Sequence, residues 1–325
     1  MHRTIVGVMR GGPSSEYEVS LQSGATVLSE LDQSKYEPRD LFISRDGTWH
    51  KGGREVPMSK ALQGIDVIFN ALHGEYGEDG TVQRILDTYG IPYTGSGAVS
   101  SAMAINKPWT KQLLAPHGIQ MAPGIVLDLH DDGDLERNSK KIFESFCGPW
   151  VVKPAASGSS VGVTIVKEFQ HLPIALHTAL STGPKVLVEQ FIRGREATVG
   201  VAENYRGEDI YAFFPVEIVP PKDNTFYDYD AKYLSDNTEY VLPGNFTDAQ
   251  KKELSDISKL VHKELALSHY SRSDFIVTPR GVFFLEVNTL PGLTSHSLIP
   301  KSVRAAGGKL SDFFEHLLTL AIKRK

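Results

Sequence analysis

The chain has 325 residues, room for roughly two domains of about 150 residues, or three small ones. Hydrophobic residues make up 41% and charged residues 22%, which places it among folded globular proteins and excludes a disordered chain. The net charge of -5, from 34 Lys and Arg against 39 Asp and Glu, shows no footprint for nucleic acid, so an anionic ligand must be held by locally placed donors.

Thr4–Met9 reads as a short buried strand, and the Gly11-Gly12 turn opens a helix reaching about Leu31. Ile65–Asn70 reads as a second strand. Asp79 then caps a helix with Val82, Ile85, Leu86 and Tyr89 on one face, Gly90 ends it, and Ile91–Thr94 is expected as a strand. This alternation predicts a parallel sheet with helices packed on it and a ligand edge near Gly11-Gly12 and His73-Gly74. Short helices are expected near Ala98–Ala104 and Pro108–His117, then strand Gly124–Leu127, helix Leu135–Phe146 and strand Trp150–Lys153. A Gly/Ser loop, strand Val161–Val166, helix Leu172–Leu180 and strand Val186–Gln190 follow. The remainder is expected to hold strands Ala197–Ala202 and Ile210–Ile218, a polar aromatic loop Lys222–Ser235, and helix Asp248–Leu267. A hairpin of Phe275–Thr278 and Val282–Asn288, then helices Ser297–Ala306 and Ser311–Ile322, close the chain.

A single cysteine, Cys147, rules out an internal disulfide and reads as a small hydrophobe near a helix end. No apolar run approaches the length of a membrane span, and Ile5–Met9 is too short for a signal peptide, so a cytoplasmic protein is expected.

Gly158-Ser159-Ser160-Val161-Gly162 matches the G-x-S-x-G pattern of serine hydrolases, yet the segment after it reads as a strand rather than the helix that such an elbow needs. Small residues between two strands suit a lid over phosphates, or a plain hairpin. In the C-terminal hairpin, Asp274 lies on the first strand and Glu286 and Asn288 on one face of the second. Such a set of oxygen donors in an apolar strand suits Mg²⁺ with phosphate; the alternative is a salt bridge from Asp274 to Arg272.

Taken together, Gly11–Ser20, His73–Gly80, Tyr93–Ser96, Gly158–Gly162, Phe226–Asp236, Arg272–Asp274 and Glu286–Leu298 resemble the D-alanine–D-alanine ligases of the ATP-grasp superfamily, in the family's order across nearly the whole chain. The resemblance implies a fold of mixed class, α/β and α+β: an N-terminal parallel-sheet α/β domain (1–95) followed by a two-part ATP-grasp fold (96–190 and 191–325). It implies ATP as co-substrate, two Mg²⁺ ions with Mn²⁺ as a substitute, D-alanine as substrate, and a homodimer, with no nucleic-acid or membrane partner.

The resemblance also assigns residues. Asp274, Glu286 and Asn288 would hold the metal. Lys107, Lys153 and Lys232 would contact phosphates; Glu189, Ile192, Glu196 and Phe226 would surround adenine and ribose. Arg272 and the Gly292 N–H would stabilise the oxyanion, and Glu16 would anchor the first ammonium within a triad with Ser159 and Tyr233. His73, Ser297 and the Leu298 N–H would steer substrate carboxylates. A D-lactate- or D-serine-using ligase and a hydrolase built on Ser160 stay open as alternatives.

Overall fold

The computed structural model describes residues 3–128, 134–156, 158, 162–181, 183, 185–219 and 239–324. Strand β1 (Thr4–Gly11) leads into helix α1 (Tyr17–Glu30), strand β2 (Tyr36–Ile43), hairpin β3 (Trp49–Lys51) and β4 (Arg54–Glu55), helix α2 (Met58–Leu62) and strand β5 (Val67–Asn70). They form a sheet in the order β4-β3-β2-β1-β5. β1 pairs in parallel with β2 and β5, whereas β2, β3 and β4 pair antiparallel. The expected parallel sheet is therefore the centre of a mixed one. β2 escapes a reading by pattern because Pro38, Arg39 and Asp40 break its alternation; its pairing along the whole of β1 holds it in place. The expected strand Ile91–Thr94 is reduced to a single bridge between Ile68 and Tyr93.

Helix α3 (Thr81–Tyr89) starts one residue later than expected. Gly80 takes the cap position with φ 87°, and the Asp79 carboxylate accepts the Thr81 and Tyr76 N–H groups at 2.8 and 3.0 Å. Helices α4 (Ala98–Ile105) and α5 (Lys107–Leu114) follow, the second capped by Asn106, whose side chain accepts from the Trp109 N–H.

Strands β6 (Gly124–Asp128), β7 (Trp150–Pro154), β8 (Thr164–Val166) and β9 (Lys185–Gln190) make an antiparallel sheet in the order β6-β9-β7-β8, with helices α6 (Leu135–Ser145) and α7 (Leu172–Leu180) between them in sequence. Cys147 is exposed just beyond α6, not packed as expected, because the buried stripe of that helix ends at Ile142.

The third sheet holds β10 (Arg195–Tyr205), β11 (Glu208–Ala212), β12 (Val216–Val219), β13 (Glu239–Val241), β14 (Tyr270–Thr278) and β15 (Gly281–Asn288), and helix α8 (Asp248–Glu264) packs on it. The expected strand Ile210–Ile218 is two strands, split around Phe213-Phe214-Pro215, since proline brings no N–H to a ladder. α8 ends three residues before the expected Leu267. Helices α9 (Leu298–Ala305) and α10 (Leu310–Lys323) close the fold.

The cores cross the chain order. Val6, Val8, Val67 and Phe69 share one core with Phe313, Phe314, Leu317 and Leu318 of α10. Ala104 and Leu114 pack with Val199, Phe275 and Leu254 against the third sheet, although they precede the second sheet in sequence. The second sheet keeps its own core around Ile142, Val152, Leu176 and Val188. Burying each such side chain stabilises by about 1.5–3 kcal/mol, so these contacts decide which segments meet. Among the described residues no helix is long and apolar enough to cross a membrane.

Candidate active site

The β14–β15 hairpin sets the geometry. Asp274 pairs across with Glu286 and Arg272 with Asn288, but the register shifts after Asp274, so that Phe275 faces Phe284. This bulge leaves Leu285 as an extra residue and re-aims the strand. Val282 and Phe284 point into the core, Phe283 and Leu285 pack on the opposite face with Ala122, Ile192 and Ile276, and Val287 returns to the core. Without the extra residue, Glu286 would continue the core alternation of Val282 and Phe284.

Asp274 is held from several sides. Arg272 Nε and Nη2 donate to its two oxygens at 2.9 Å each, the Thr198 hydroxyl donates to Oδ1 at 2.6 Å, and Asn288 Nδ2 donates to Oδ2 at 3.0 Å. The salt bridge to Arg272, one of the two readings of the sequence, is thus present. Glu286 pairs with Lys107 Nζ at 3.2 Å; Lys107 opens α5, and its N–H donates to Ala155 O at the end of β7.

A second charged group lies behind this one. Glu189 is 2% exposed and receives Lys153 Nζ at 2.5 Å on one oxygen and Lys111 Nζ on the other. Burial pushes the Glu189 carboxyl up, but the lysines outweigh it and hold it below the usual range. The Glu189 side chain is consumed in orienting these lysines, while its backbone sits in the sheet between Gly124 of β6 and Val151 of β7. Lys111 was not among the expected site residues; its spacing of one helical turn from Lys107 was the available signal.

The edge of the first sheet supplies the third group. Glu16, at the start of α1, is 6% exposed. Gly74 has φ 67°, and a Cβ there would lie 2.5 Å from Ser14 Oγ and 2.9 Å from Glu16 Oε2; one on Gly158 would lie 3.0 Å from the same Glu16 oxygen. Gly158 therefore comes close to Glu16, and at Gly74 only glycine permits the approach.

His73 Nδ1 donates to Leu290 O at 2.7 Å, so Nε2 accepts from the Ser23 hydroxyl at 2.8 Å. Burial lowers the affinity of His73 for a proton, in keeping with this neutral tautomer. Ser23 Oγ in turn accepts the Leu293 N–H at 3.1 Å. Glu78 accepts the Gly74 N–H on one oxygen at 3.0 Å; the other accepts from Thr289 N–H, Leu290 N–H and the Thr289 hydroxyl at 3.1, 3.0 and 3.3 Å. Burial, reinforced by the Glu16 carboxylate, pushes Glu78 up to about 7 against the opposing pull of these donors and Arg272.

These bonds take up most N–H groups between Thr289 and Thr294. Thr289 and Leu290 donate to Glu78, Pro291 has none, Leu293 donates to Ser23 and Thr294 to Ser297 Oγ at 3.1 Å. The Gly292 N–H has no acceptor among the described residues. Ser297 Oγ lies 2.8 Å from where a Gly292 Cβ would stand. The Leu298 side chain packs with Val216 and Ile218. Glu196 lies on β10 opposite Ile218 and Ile276, on the strand that follows the Ile192 segment.

Comparison with known proteins decides what this arrangement belongs to. Residues 113–319 match the family model of the D-ala D-ala ligase C-terminus, and residues 5–61 and 52–96 match that of the N-terminus. The chain is 40% identical over 320 residues to a D-alanine–D-alanine ligase of Geobacter sulfurreducens, spanning 98% of this chain and 94% of that one. It belongs to the D-alanine–D-alanine ligase family. A relative from Clostridium beijerinckii is 37% identical over 98% of both chains. Among solved structures, a D-alanine–D-alanine ligase of Bacillus anthracis superposes with a TM-score of 0.82 at 32% identity over 98% of both chains. VanG, a D-Ala:D-Ser ligase of Enterococcus faecalis, superposes with a TM-score of 0.85 at 28% identity, over 98% of this chain and 100% of that one.

Within this ligase fold the structure brings together Glu16, His73, Lys107, Lys153, Glu189, Arg272, Asp274, Glu286, Asn288, Gly292 and Ser297. Ser159, Ser160, Phe226, Lys232 and Tyr233 lie outside the described residues. Ser23, Glu78, Lys111 and Thr198 are additions to the expected set. Glu78 was legible only as one acid in a capped loop, and Thr198 and Ser23 carry no mark that separates them from other strand and helix hydroxyls.

Proposed function

We propose that the protein joins two D-alanines into D-alanyl-D-alanine at the expense of ATP, for peptidoglycan precursor synthesis, through a D-alanyl phosphate. The observation that carries this reading is the bulged hairpin, which gathers Asp274, Glu286 and Asn288 on the face reached by Lys107 and Arg272. That face suits phosphate, and the Gly292 N–H, without an acceptor among the described residues, follows it four residues on as a donor.

In the first step the carboxylate of one D-alanine attacks the γ-phosphorus of ATP, a carboxylate O–P bond forms, the bond to the β-phosphate oxygen breaks, and ADP leaves. Positioning and charge neutralisation do most of the catalysis in such a transfer. Glu16 holds the ammonium of that D-alanine, and Lys107, Lys153 and Lys232 contact phosphate oxygens. Ile192, Ile276, Phe283 and Leu285 offer an apolar wall to adenine, to which the family resemblance adds Phe226, with Glu196 for the ribose. In the second step the amine of another D-alanine attacks the acyl carbon; the amine loses a proton and phosphate departs. Arg272 and the Gly292 N–H stabilise the oxyanion. Ser297 and the Leu298 N–H receive the second carboxylate, while His73, whose nitrogens are both engaged inside the protein, acts on it through the loop it holds. Glu16, Ser159 and Tyr233 close the site.

The donor set fits a hard divalent cation. The side chains offer only oxygen on this face, since Asn288 commits its nitrogen to Asp274 and leaves Oδ1. Asp274 and Glu286 are the two acids of the set, and the Asn288 amide oxygen would be its third ligand. Two Mg²⁺ ions, or Mn²⁺, held by Asp274, Glu286 and Asn288 supply neutralisation of phosphate charge. The same reading places the protein in the cytoplasm as a homodimer, with domain boundaries near residues 95 and 190; the three separate sheets support that division.

The test is ADP release with D-alanine alone and with D-serine or D-lactate added as second substrate. ADP release that needs D-alanine and yields the dipeptide is expected, with D-lactate poor near neutral pH. Preferential formation of D-alanyl-D-lactate or D-alanyl-D-serine overturns the specificity, and ADP release indifferent to D-alanine overturns the ligase.

A further inference from the structure

We infer that Glu78 is a positioning residue for the oxyanion donor: its carboxylate fixes the Thr289–Leu290 backbone so that the Gly292 N–H is aimed at the oxyanion that develops on the acyl carbon. The inference rests on the ligase reading above and adds to it a residue that the reading does not use.

The geometry is that of a clamp. Glu78 belongs to the loop between β5 and α3, and Thr289 and Leu290 follow β15 more than two hundred positions later in the chain. One carboxylate oxygen binds its own loop at Gly74, and the other binds both consecutive N–H groups of the distant one. Two adjacent N–H groups converging on one oxygen fix the orientation of the peptide planes as well as their position. Pro291, the next residue, has its own φ fixed by its ring. Beyond it Ser23 grips the Leu293 N–H, and His73 grips Leu290 O. Gly292 is thus suspended between two anchored points, and from Thr289 to Thr294 its N–H is the one without an acceptor among the described residues. A donor that stabilises a developing oxyanion must stand ready before the reaction, because reorienting it during the reaction consumes the stabilisation.

Glutamate is suited to this task where glutamine is not. The four groups facing Glu78 (the Gly74, Thr289 and Leu290 N–H groups and the Thr289 hydroxyl) are all donors. An amide in its place must aim an NH₂ at one side of the clamp at every pH, whereas the glutamate presents about four acceptor lone pairs once its proton has left, at about pH 7. The clamp lies at the edge of the site, within electrostatic reach of both Glu16 and Arg272.

The experiment compares wild type with Glu78→Gln, Glu78→Asp and Ser23→Ala, measuring ADP and dipeptide in the same reaction, together with ADP affinity by calorimetry. If Glu78 aims the Gly292 N–H, Glu78→Gln slows dipeptide formation on the order of 10- to 100-fold. ADP affinity stays within about twofold, because the nucleotide is held by other residues. The distinctive sign is uncoupling: acyl phosphate not captured by the amine is hydrolysed to D-alanine and phosphate, so more than one ADP appears per dipeptide. Glu78→Asp keeps the charge and lies between the two, and Ser23→Ala, which releases only the other anchor, uncouples more mildly. A folded Glu78→Gln that keeps one ADP per dipeptide and near-normal turnover overturns the inference. If that variant does not fold, a ratio of one in Ser23→Ala overturns it instead. Failure of the wild type to make any dipeptide counts against the ligase reading, which separates the two failures.

Discussion

Glu78 and Glu189 are both buried, and both bind groups from distant parts of the chain, yet their environments act on them in opposite directions. Glu189 on β9 is met by two lysine ammonium groups and is held below the usual carboxylate range. Glu78 is met by N–H and hydroxyl dipoles, with the Glu16 carboxylate nearby, and is pushed up to about 7. Burial raises both. The difference teaches that full charges compensate the loss of water where dipoles compensate it only in part. It also separates two uses of a buried acid: Glu189 holds two cations in place, and Glu78 holds backbone N–H groups.

The largest expected effect comes from breaking the ionic member of the pair. Glu189→Gln leaves Lys111 and Lys153 buried without a countercharge and should cost about 3–5 kcal/mol of stability, read by urea denaturation at neutral pH. A loss below about 1 kcal/mol would show that water or rearrangement compensates the lysines, and the contrast with Glu78 would collapse.

Next in size is Glu286→Gln, which removes the charge opposite Asp274 and the partner of Lys107. Turnover should fall on the order of 100-fold, about 2.7 kcal/mol of transition-state stabilisation, while the thermal transition moves little. Near-normal ligase activity with Mg²⁺ present would remove Glu286 from the phosphate-handling set.

The smallest effect is a slope. Glu78 holds its proton to about 7 in the folded protein against 4.5 ordinarily. Between those values the folded state binds more protons than the unfolded one, so stability falls as pH rises. His269 behaves in the opposite sense: burial first, then Arg324, lowers it from 6.5 to about 3, against the pull of Glu203, with His262 and His316 also nearby. Between those limits the unfolded state binds the extra proton, so stability rises with pH. Where the windows overlap, from 4.5 to 6.5, the two contributions oppose each other at about 1.4 kcal/mol per pH unit. Glu189 acts below this window, because its carboxyl is lowered. Glu78→Gln should therefore unmask a melting temperature that climbs with pH. His269→Asn should unmask one that declines; asparagine tolerates the φ of 67° and keeps an acceptor for the Gly95 N–H. Two variants with the wild-type pH profile would show that neither group titrates as described.

Much of the site was legible because its chemistry interrupts a pattern. Asp274, Glu286 and Asn288 stand out as polar positions in strands otherwise made of Phe, Val and Leu, and period-two geometry places Glu286 and Asn288 on one face. The bulge at Leu285 was not legible, because nothing in Phe283-Phe284-Leu285 marks an unpaired residue. Glu78 was read through its local surroundings, a glycine-rich loop before a helix, whereas its function depends on contacts with Thr289 and Leu290 that only the folded chain creates. The split at Pro215 and the strand through Pro38 were missed for a related reason: proline disturbs an alternating pattern both where a strand ends and where a pairing partner overrides it.

Helix α10 gives the molecule a dependence on the order of synthesis. Phe313, Phe314, Leu317 and Leu318 complete the core around Val6, Val8, Val67 and Phe69. Most domains leaving the ribosome fold as soon as their own residues have emerged. Here the first sheet is translated early but keeps an apolar face uncovered until residues 310–323 arrive. The nascent chain therefore carries that face through the making of both later sheets, a long interval in which chaperones have a surface to hold.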